Sequence, residues 1–451
     1  MTKIADSSER TLAPKREIFG WAMYDFANQA YTLLIITVIF GDLFTRVVVG
    51  DAPDYRTGNL LWSISLATSY LLVVACAPVA GAIMDYTASK KLFLFASYLL
   101  TVITTALLYF VAPGYAALGV LLLILSNFAF SIGESFISSF LPELGPPRSL
   151  GKISGFGWGL GYIGGLVAAA FALGLLGEVS LENFERIRWV GPLAAVFVLV
   201  ACIPTFVWLR ERGVAKAQLP AREYLRVGIS RVGDTLTHLR AHRDLAVMLG
   251  STFFAMNGIY IIITYAFIYG AQVVKWDDAT RTTMFILVQV TAAAGAIGFG
   301  WIQDHLGAMR TYRITLWMWI VAVALIFLTP IISSAAQQVG LHWHAQDVFL
   351  VVGCAAGLSM GSCQSATRTL VGLFSPLSRS AEFFGFWGMV MKLAGASGLL
   401  IIGLLQALFG LHLAILWCVV LFFIAWLISR NVNQLRGEAA ATEVTAKAPL
   451  L

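Results

Sequence analysis

Residues 20–40 read GWAMYDFANQAYTLLIITVIF, an apolar stretch interrupted by Asp25, Asn28 and Gln29. About 20 apolar residues cross a bilayer core of roughly 30 Å, so this stretch is long enough to be a membrane helix. An acid inside such a helix costs roughly 2.5 to 3.5 kcal/mol on insertion scales. A helix that keeps one must turn it toward protein or water, because lipid offers it no partner. The rest of the chain is of the same kind: 451 residues, 59% hydrophobic, 12% charged, with a mean hydropathy of +0.81. Soluble domains carry about 25% charged residues, so composition excludes that class. The polar N-terminal tail leads into a full-length span rather than a short apolar core with a cleavage site, so span one reads as a retained helix. The five cysteines lie within apolar runs and lack paired or metal-ligand spacing.

Counting on that yardstick gives twelve spans, six in residues 18–209 and six in 244–430. A tail, 1–17, precedes them, a basic stretch, 210–243, separates them, and a second tail, 431–451, follows. Most of the 30 basic residues then fall on one side. Arg46, Arg56, Arg186, Arg188, Lys275 and Arg281 fall on the other, while Arg368 and Lys392 lie within spans. Positive charge marks the cytoplasmic side, so both termini are expected there, in a bacterial cytoplasmic membrane. In the central stretch Leu225, Ile229, Val232, Leu236 and Leu239 share one helical face, with Arg226, Arg231 and Arg240 off it. This pattern predicts an amphipathic basic helix that lies along the membrane surface or bridges the two halves.

The halves repeat. GAIMDYTASKK (81–91) and GWIQDHLGAMR (300–310) share a Gly, an Asp four residues on and a terminal base. ANQAY in span one matches MNGIY in span seven, pairing Asn28 with Asn257 and Tyr31 with Tyr260. SFLPELGPPRSLGKISGFGW and GLFSPLSRSAEFFGFW align so that Glu134 of span four falls on Arg368 of span ten. Matches in one order at a nearly constant separation, roughly 220 to 235 residues, are the mark of repeat-built transporters. Polar stripes run along four spans: Asp25, Asn28 and Thr32; Asn127, Ser131, Glu134 and Ser138; Asn257, Tyr260 and Thr264; Gly361, Gln364 and Arg368. Polar glue between packed helices explains any one of them; four together predict a polar cavity lined by spans one, four, seven and ten.

Two six-helix halves, a basic connector and paired Gly-x-x-x-Asp loops resemble the major facilitator superfamily. More narrowly, WAMYDFANQAY, FLPEL, ISGFGWGLGYIGGL, QSATRTL and AEFFGFWGMVMKLAG resemble the "unknown major facilitator" family, which includes the autophagy-related vacuolar amino-acid effluxers of fungi. The likeness runs from about Glu17 to Arg430. It implies an all-α fold of two pseudo-symmetric bundles rocking about a central site. The superfamily loop motif is only partly kept: Tyr86 and Ala88 replace its Arg and Gly in the first copy, whereas the second has His305 but keeps Gly307. Asp85 and Asp304 survive as candidate conformational latches, with Arg310 as a partner for the second. Span five lacks the Gly-Pro pair of the antiporter motif, and Gly157, Gly161 and Gly165 instead read as a close-packing face.

The expected function is secondary transport of a small polar solute, zwitterionic solutes such as amino acids included, by alternating access. Candidate cavity residues are Asp25, Asn28, Tyr31, Asn127, Ser131, Glu134, Asn257, Tyr260, Gln364, Arg368 and Lys392. The two acids and two bases among them either pair permanently, hold a zwitterion, or carry a proton through Asp25 or Glu134. No cofactor or metal is expected beyond a coupled proton, and the chain is expected to be a monomer whose partners are its solute and the bilayer. A non-transporting assembly or sensor protein with the same fold is the alternative. An enzyme is disfavoured because no metal, phosphate-loop or nucleophile motif occurs. Nucleic acid is excluded as a partner because the bases spread over one membrane face.

Overall fold

The computed structural model describes residues 11–51, 55–177, 179–213, 215, 219–237 and 242–447. No strand occurs among them. Twelve helices are long and apolar enough to cross a membrane: Lys15–Val49, Arg56–Thr87, Lys90–Phe110, Ala116–Glu143, Pro147–Leu176 and Phe184–Trp208, then Arg243–Val274, Ala279–Leu306, Ala308–Gln338, Ala345–Phe374, Leu377–Phe409 and Leu411–Ser429. Helix is the form available to such segments, because each amide must find its partner within the segment where water is absent. Spans one to six pack among themselves, and so do seven to twelve. The two bundles meet along two seams, span two on span eleven and span five on span eight. Glycines let the backbones touch there: a Cβ at Gly81 would fall on the Ala381 carbonyl, and one at Gly155 on that of Ala296.

Ala13 donates to the Leu144 carbonyl at the end of span four, and Gly437 lies against Phe374 at the end of span ten. Both ends of the described chain therefore sit at one face, the terminal face. Span one is α-helical only to Ala30; Tyr31–Val38 and Leu43–Val49 are π-helical, and span seven likewise ends in a π-helical stretch, Gly270–Val274. The repeat is thus visible in backbone geometry as well as in sequence.

Two helices lie outside the spans. Ala221–Thr237 docks by its polar side, with Gly228 against Val79 and Ile83 of span two. Its Arg231 and Thr235 reach the buried Glu382 of span eleven, Arg231 at 3.5 Å. It therefore bridges both bundles and leaves Leu225, Ile229 and Leu236 exposed. Leu239 and Arg240 of that pattern, and residues 1–10 and 448–451 of the tails, lie outside the described residues. The second tail is not without structure: Gln434–Lys447 is a helix, started by the Asn433 side chain accepting from the Arg436 amide at 3.1 Å. Arg436 ties it to Asp244 of span seven.

Candidate functional site: a charged seam between the bundles

Asp25 sits one turn past Trp21 on the α-helical part of span one, and both look toward span five. There Asp25 Oδ2 accepts from Arg368 Nη1 of span ten at 2.7 Å. All three guanidinium nitrogens are engaged: besides the Asp25 bond, Nε donates to Ser154 Oγ at 3.2 Å and Nη2 to the Ser154 carbonyl at 2.9 Å. Trp21 and Trp158 flank it, with ring centroids 4.6 and 5.2 Å away. Indole faces hold a partly desolvated guanidinium well, so the cage fixes Arg368 before any solute arrives. Gly157 makes the room, since a Cβ there would lie 2.6 Å from Asp25 Oδ2 and 2.7 Å from Arg368 Nη2.

The second pair lies beside the other seam, that of spans two and eleven. Lys392 Nζ of span eleven donates to Glu134 Oε2 of span four at 2.9 Å, and stands 5.5 and 5.8 Å from the Tyr70 and Phe130 rings. Tyr260 lies within electrostatic range of the same ammonium. The two pairs differ in access: the Glu134 side chain is 34% exposed against 9% for Lys392, while Asp25 and Arg368 are at 15% and 2%. Gln364 is bonded to the Tyr162 hydroxyl across the same boundary.

Other candidates point elsewhere. Tyr31 is fully buried and shares a hydrogen bond with Ser126 at 2.8 Å, and Asn127 donates to Ser69 at 2.5 Å, both inside the N-terminal bundle. These two are packing contacts of spans one, two and four, one layer behind the Phe130 ring on which Tyr31 stacks. Asn257 donates to Ser397 of span eleven at 2.8 Å within its own bundle, yet its Oδ1 has no partner among the described residues, nor has Ser131 Oγ. Asn28 is buried. Sequence reading missed Trp21, Ser154, Trp158, Tyr162 and Tyr70. Ser154, Trp158 and Tyr162 recur at i, i+4 and i+8 beside the glycine face of span five, a stripe that periodicity could have shown.

At the terminal face two matching contacts cross the seams, one at each candidate latch. Asp85 accepts from the amides of Ala381 and Glu382, at 3.1 and 2.8 Å, at the start of span eleven. Asp304 accepts from Gly151 and Lys152, at 3.0 and 3.2 Å, at the start of span five. A helix N-terminus presents free amides and a positive dipole end that favour a carboxylate, and a lysine stands near each: Lys90 is 3.9 Å from Asp85 and Lys152 4.0 Å from Asp304. Arg310, expected beside Asp304, is not part of the latch: it is exposed in a cleft with Arg313 and Arg430, one turn beyond the Gly307 reversal. Lys90 adds a third tie, reaching Glu143 at 2.5 Å in its own bundle and Ser380 Oγ at 2.6 Å in the other.

Residues 13–150 and 148–442 match the family described as vacuole effluxer Atg22 like. An uncharacterised transporter of major-facilitator type from Bacillus subtilis, YxiO, is 23% identical over 90% of this chain and 92% of its own length. Autophagy-related protein 22-1 of Penicillium rubens is 24% identical over 70% of this chain, which spans 57% of that relative's length. Among solved structures, the human organic anion transporter MFSD10 superposes with a TM-score of 0.69 at 14% identity, covering 92% of this chain and 100% of its own. The proton:xylose symporter XylE gives 0.69 at 14% identity, covering 95% and 98%. At such identity the structural likeness concerns the fold, which is that of the major facilitator superfamily. With more than half its length matched, the chain belongs to the Atg22-like vacuole effluxer family of membrane transporters.

Proposed function

We propose that the chain is a secondary transporter that carries a small zwitterionic solute through the seam by alternating access, with the terminal face in the cytoplasm. One observation carries this reading: both acids of the seam, Asp25 and Glu134, stand on the N-terminal bundle, and both bases, Arg368 and Lys392, on the C-terminal bundle. Rocking the bundles apart pulls cation from anion. An ammonium placed toward the N-terminal bundle and a carboxylate toward the C-terminal bundle would replace the lost partners with matched sign. Proton coupling is a second reading, favoured by Glu134 being the most exposed of the four charges.

The test begins with a thermal-shift screen of zwitterionic metabolites on the purified chain, followed by uptake into proteoliposomes. A solute that stabilises the protein should be taken up, and its methyl ester or its deaminated analogue should not be. Equal uptake of all three would remove the zwitterion reading, and no flux of any solute would favour a non-transporting role. Loss of pH-gradient-driven uptake in Glu134→Gln, with solute exchange retained, is expected if that carboxylate carries the proton.

A further inference from the structure

A cleft of about 580 Å³ opens at the terminal face of the C-terminal bundle, remote from the charged seam. It lies where spans eight and nine join, beside the start of span seven, the end of span twelve and the first turn of the C-terminal helix. Arg243, Arg310, Arg313, Arg430 and Arg436 line it, and no Asp or Glu does. Arg436 is neutralised, its Nε and Nη2 donating to Asp244 at 2.6 and 2.7 Å. The other four have no carboxylate partner among the described residues. Arg313 donates through Nη2 to the Ser429 and Val432 carbonyls at 2.7 and 3.0 Å, while its buried Nε has no partner among the described residues. Arg430 lies over the Trp426 ring at 5.2 Å, and its charge and that of Arg310 both act on Arg313.

A general excess of positive charge on one membrane face does not produce this. Several cations elsewhere on the same face are matched, Lys90 with Glu143, Arg212 with Glu17, Arg231 and Arg379 with Glu382, Lys152 with Asp304. Others, such as Arg148 and Arg222, are exposed and do not line this cleft. Four guanidiniums sharing one recess repel at distances that salt, with a Debye length of about 8 Å, screens poorly. Their planar forks fit the oxygens of a phosphate, two donors to each group. Leu306 and Leu435 on the rim are exposed, which gives an acyl chain something to rest on.

We propose that this cleft binds a phosphate-bearing anion, supplied as an anionic phospholipid headgroup or as a soluble phosphate compound. The experiment uses the full chain in detergent with two probes, sodium pyrophosphate and a short-chain phosphatidic acid, each titrated calorimetrically. Binding of both marks a site open to soluble phosphate, and binding of the lipid alone marks a headgroup site; either supports the cleft. Arg310→Gln should weaken binding by about tenfold, the loss of one charge-assisted contact. Arg310→Gln with Arg430→Gln should weaken it further. The control is Arg148→Gln with Arg222→Gln, which removes two exposed charges elsewhere and should change affinity by less than about twofold. Arg310 is exposed and has no hydrogen-bonded or ionic partner among the described residues, so its single variant keeps the fold should the double variant fail to purify. An equal loss in the control pair would show diffuse surface charge only, and binding of neither probe would likewise overturn the proposal.

Discussion

Replacing Asp25 by Asn removes a charge but keeps the shape of the side chain, and it leaves Arg368 buried without its anion. At 2.7 Å the pair has a gross attraction of about 6 kcal/mol at an effective dielectric of ~20. Breaking a buried pair from one side costs about 3 to 5 kcal/mol. The Ser154 carbonyl and the two indole faces still hold the guanidinium, which places Asp25→Asn near the low end, about 3 kcal/mol. Arg368→Gln should be milder, because the orphaned Asp25 can take up a proton whereas an orphaned arginine cannot shed one. Combining the two changes removes both charges, so the double variant should regain at least about 2 kcal/mol relative to the sum of the singles. Melting temperatures in detergent should therefore rank Asp25→Asn lowest, Arg368→Gln next, and the double variant closest to the parent. Additive losses would refute the pairing energetics. Liposome uptake then separates two roles: a stable double variant without flux marks the charges as part of transport, and restored flux marks them as architecture.

Three further outcomes follow from the geometry. Gly157→Ala puts a methyl group 2.6 Å from the Asp25 carboxylate, so it should spread the pair, lower the melting temperature and cut uptake, at about 1 to 3 kcal/mol; parental stability and flux would show the cage to be looser than described. Asp304→Asn weakens the latch on the Gly151 and Lys152 amides, so a cysteine on the seam side of span five should become more reactive from the terminal face, while solute affinity stays within a few fold; unchanged labelling would remove the latch role. Ala88 closes span two at φ +49°, the left-handed region that Gly307 occupies at +92° in the second repeat, so Ala88→Gly should stabilise by roughly 0.5 to 1 kcal/mol in thermal unfolding; a lowered melting temperature would contradict it.

Where polarity is expensive, sequence is explicit. Twelve spans, two halves and inward polar stripes were legible because lipid penalises any other placement of those residues. Pairing was not. The repeat sets Glu134 opposite Arg368 as equivalents, but equivalence says nothing about contact, and each finds its partner on another helix: Glu134 on span eleven, Arg368 on span one. The repeat pairs Tyr31 with Tyr260, yet Tyr31 begins the π-helical stretch after Ala30 and its hydroxyl is bonded to Ser126 of span four. Arg310 is near Asp304 in sequence, but the partners Asp304 uses lie on span five: the Gly151 and Lys152 amides, with the Lys152 ammonium at 4.0 Å.

The two latches and the two charge pairs obey different symmetries, and the difference bears on how the carrier could turn over. The latches are equivalent under the repeat: an acid at the end of span two or eight caps the start of span eleven or five. Each joins a carboxylate to backbone amides at the terminal face, where water can take over both partners as the face opens. The charge pairs break the repeat, with acids on one bundle and bases on the other. Separating them leaves four ions short of partners in a setting where each is costly. On the proposed reading the loaded carrier meets that cost with the solute's own charges, and the empty carrier does not. Labelled solute should then exchange across the liposome membrane faster than it moves in net flux. Protonation of the acids is the other way to lower the barrier for the empty carrier, so net flux should approach the exchange rate as the medium is made more acidic. A net rate equal to the exchange rate at every pH would mean that the four charges do not gate the return step.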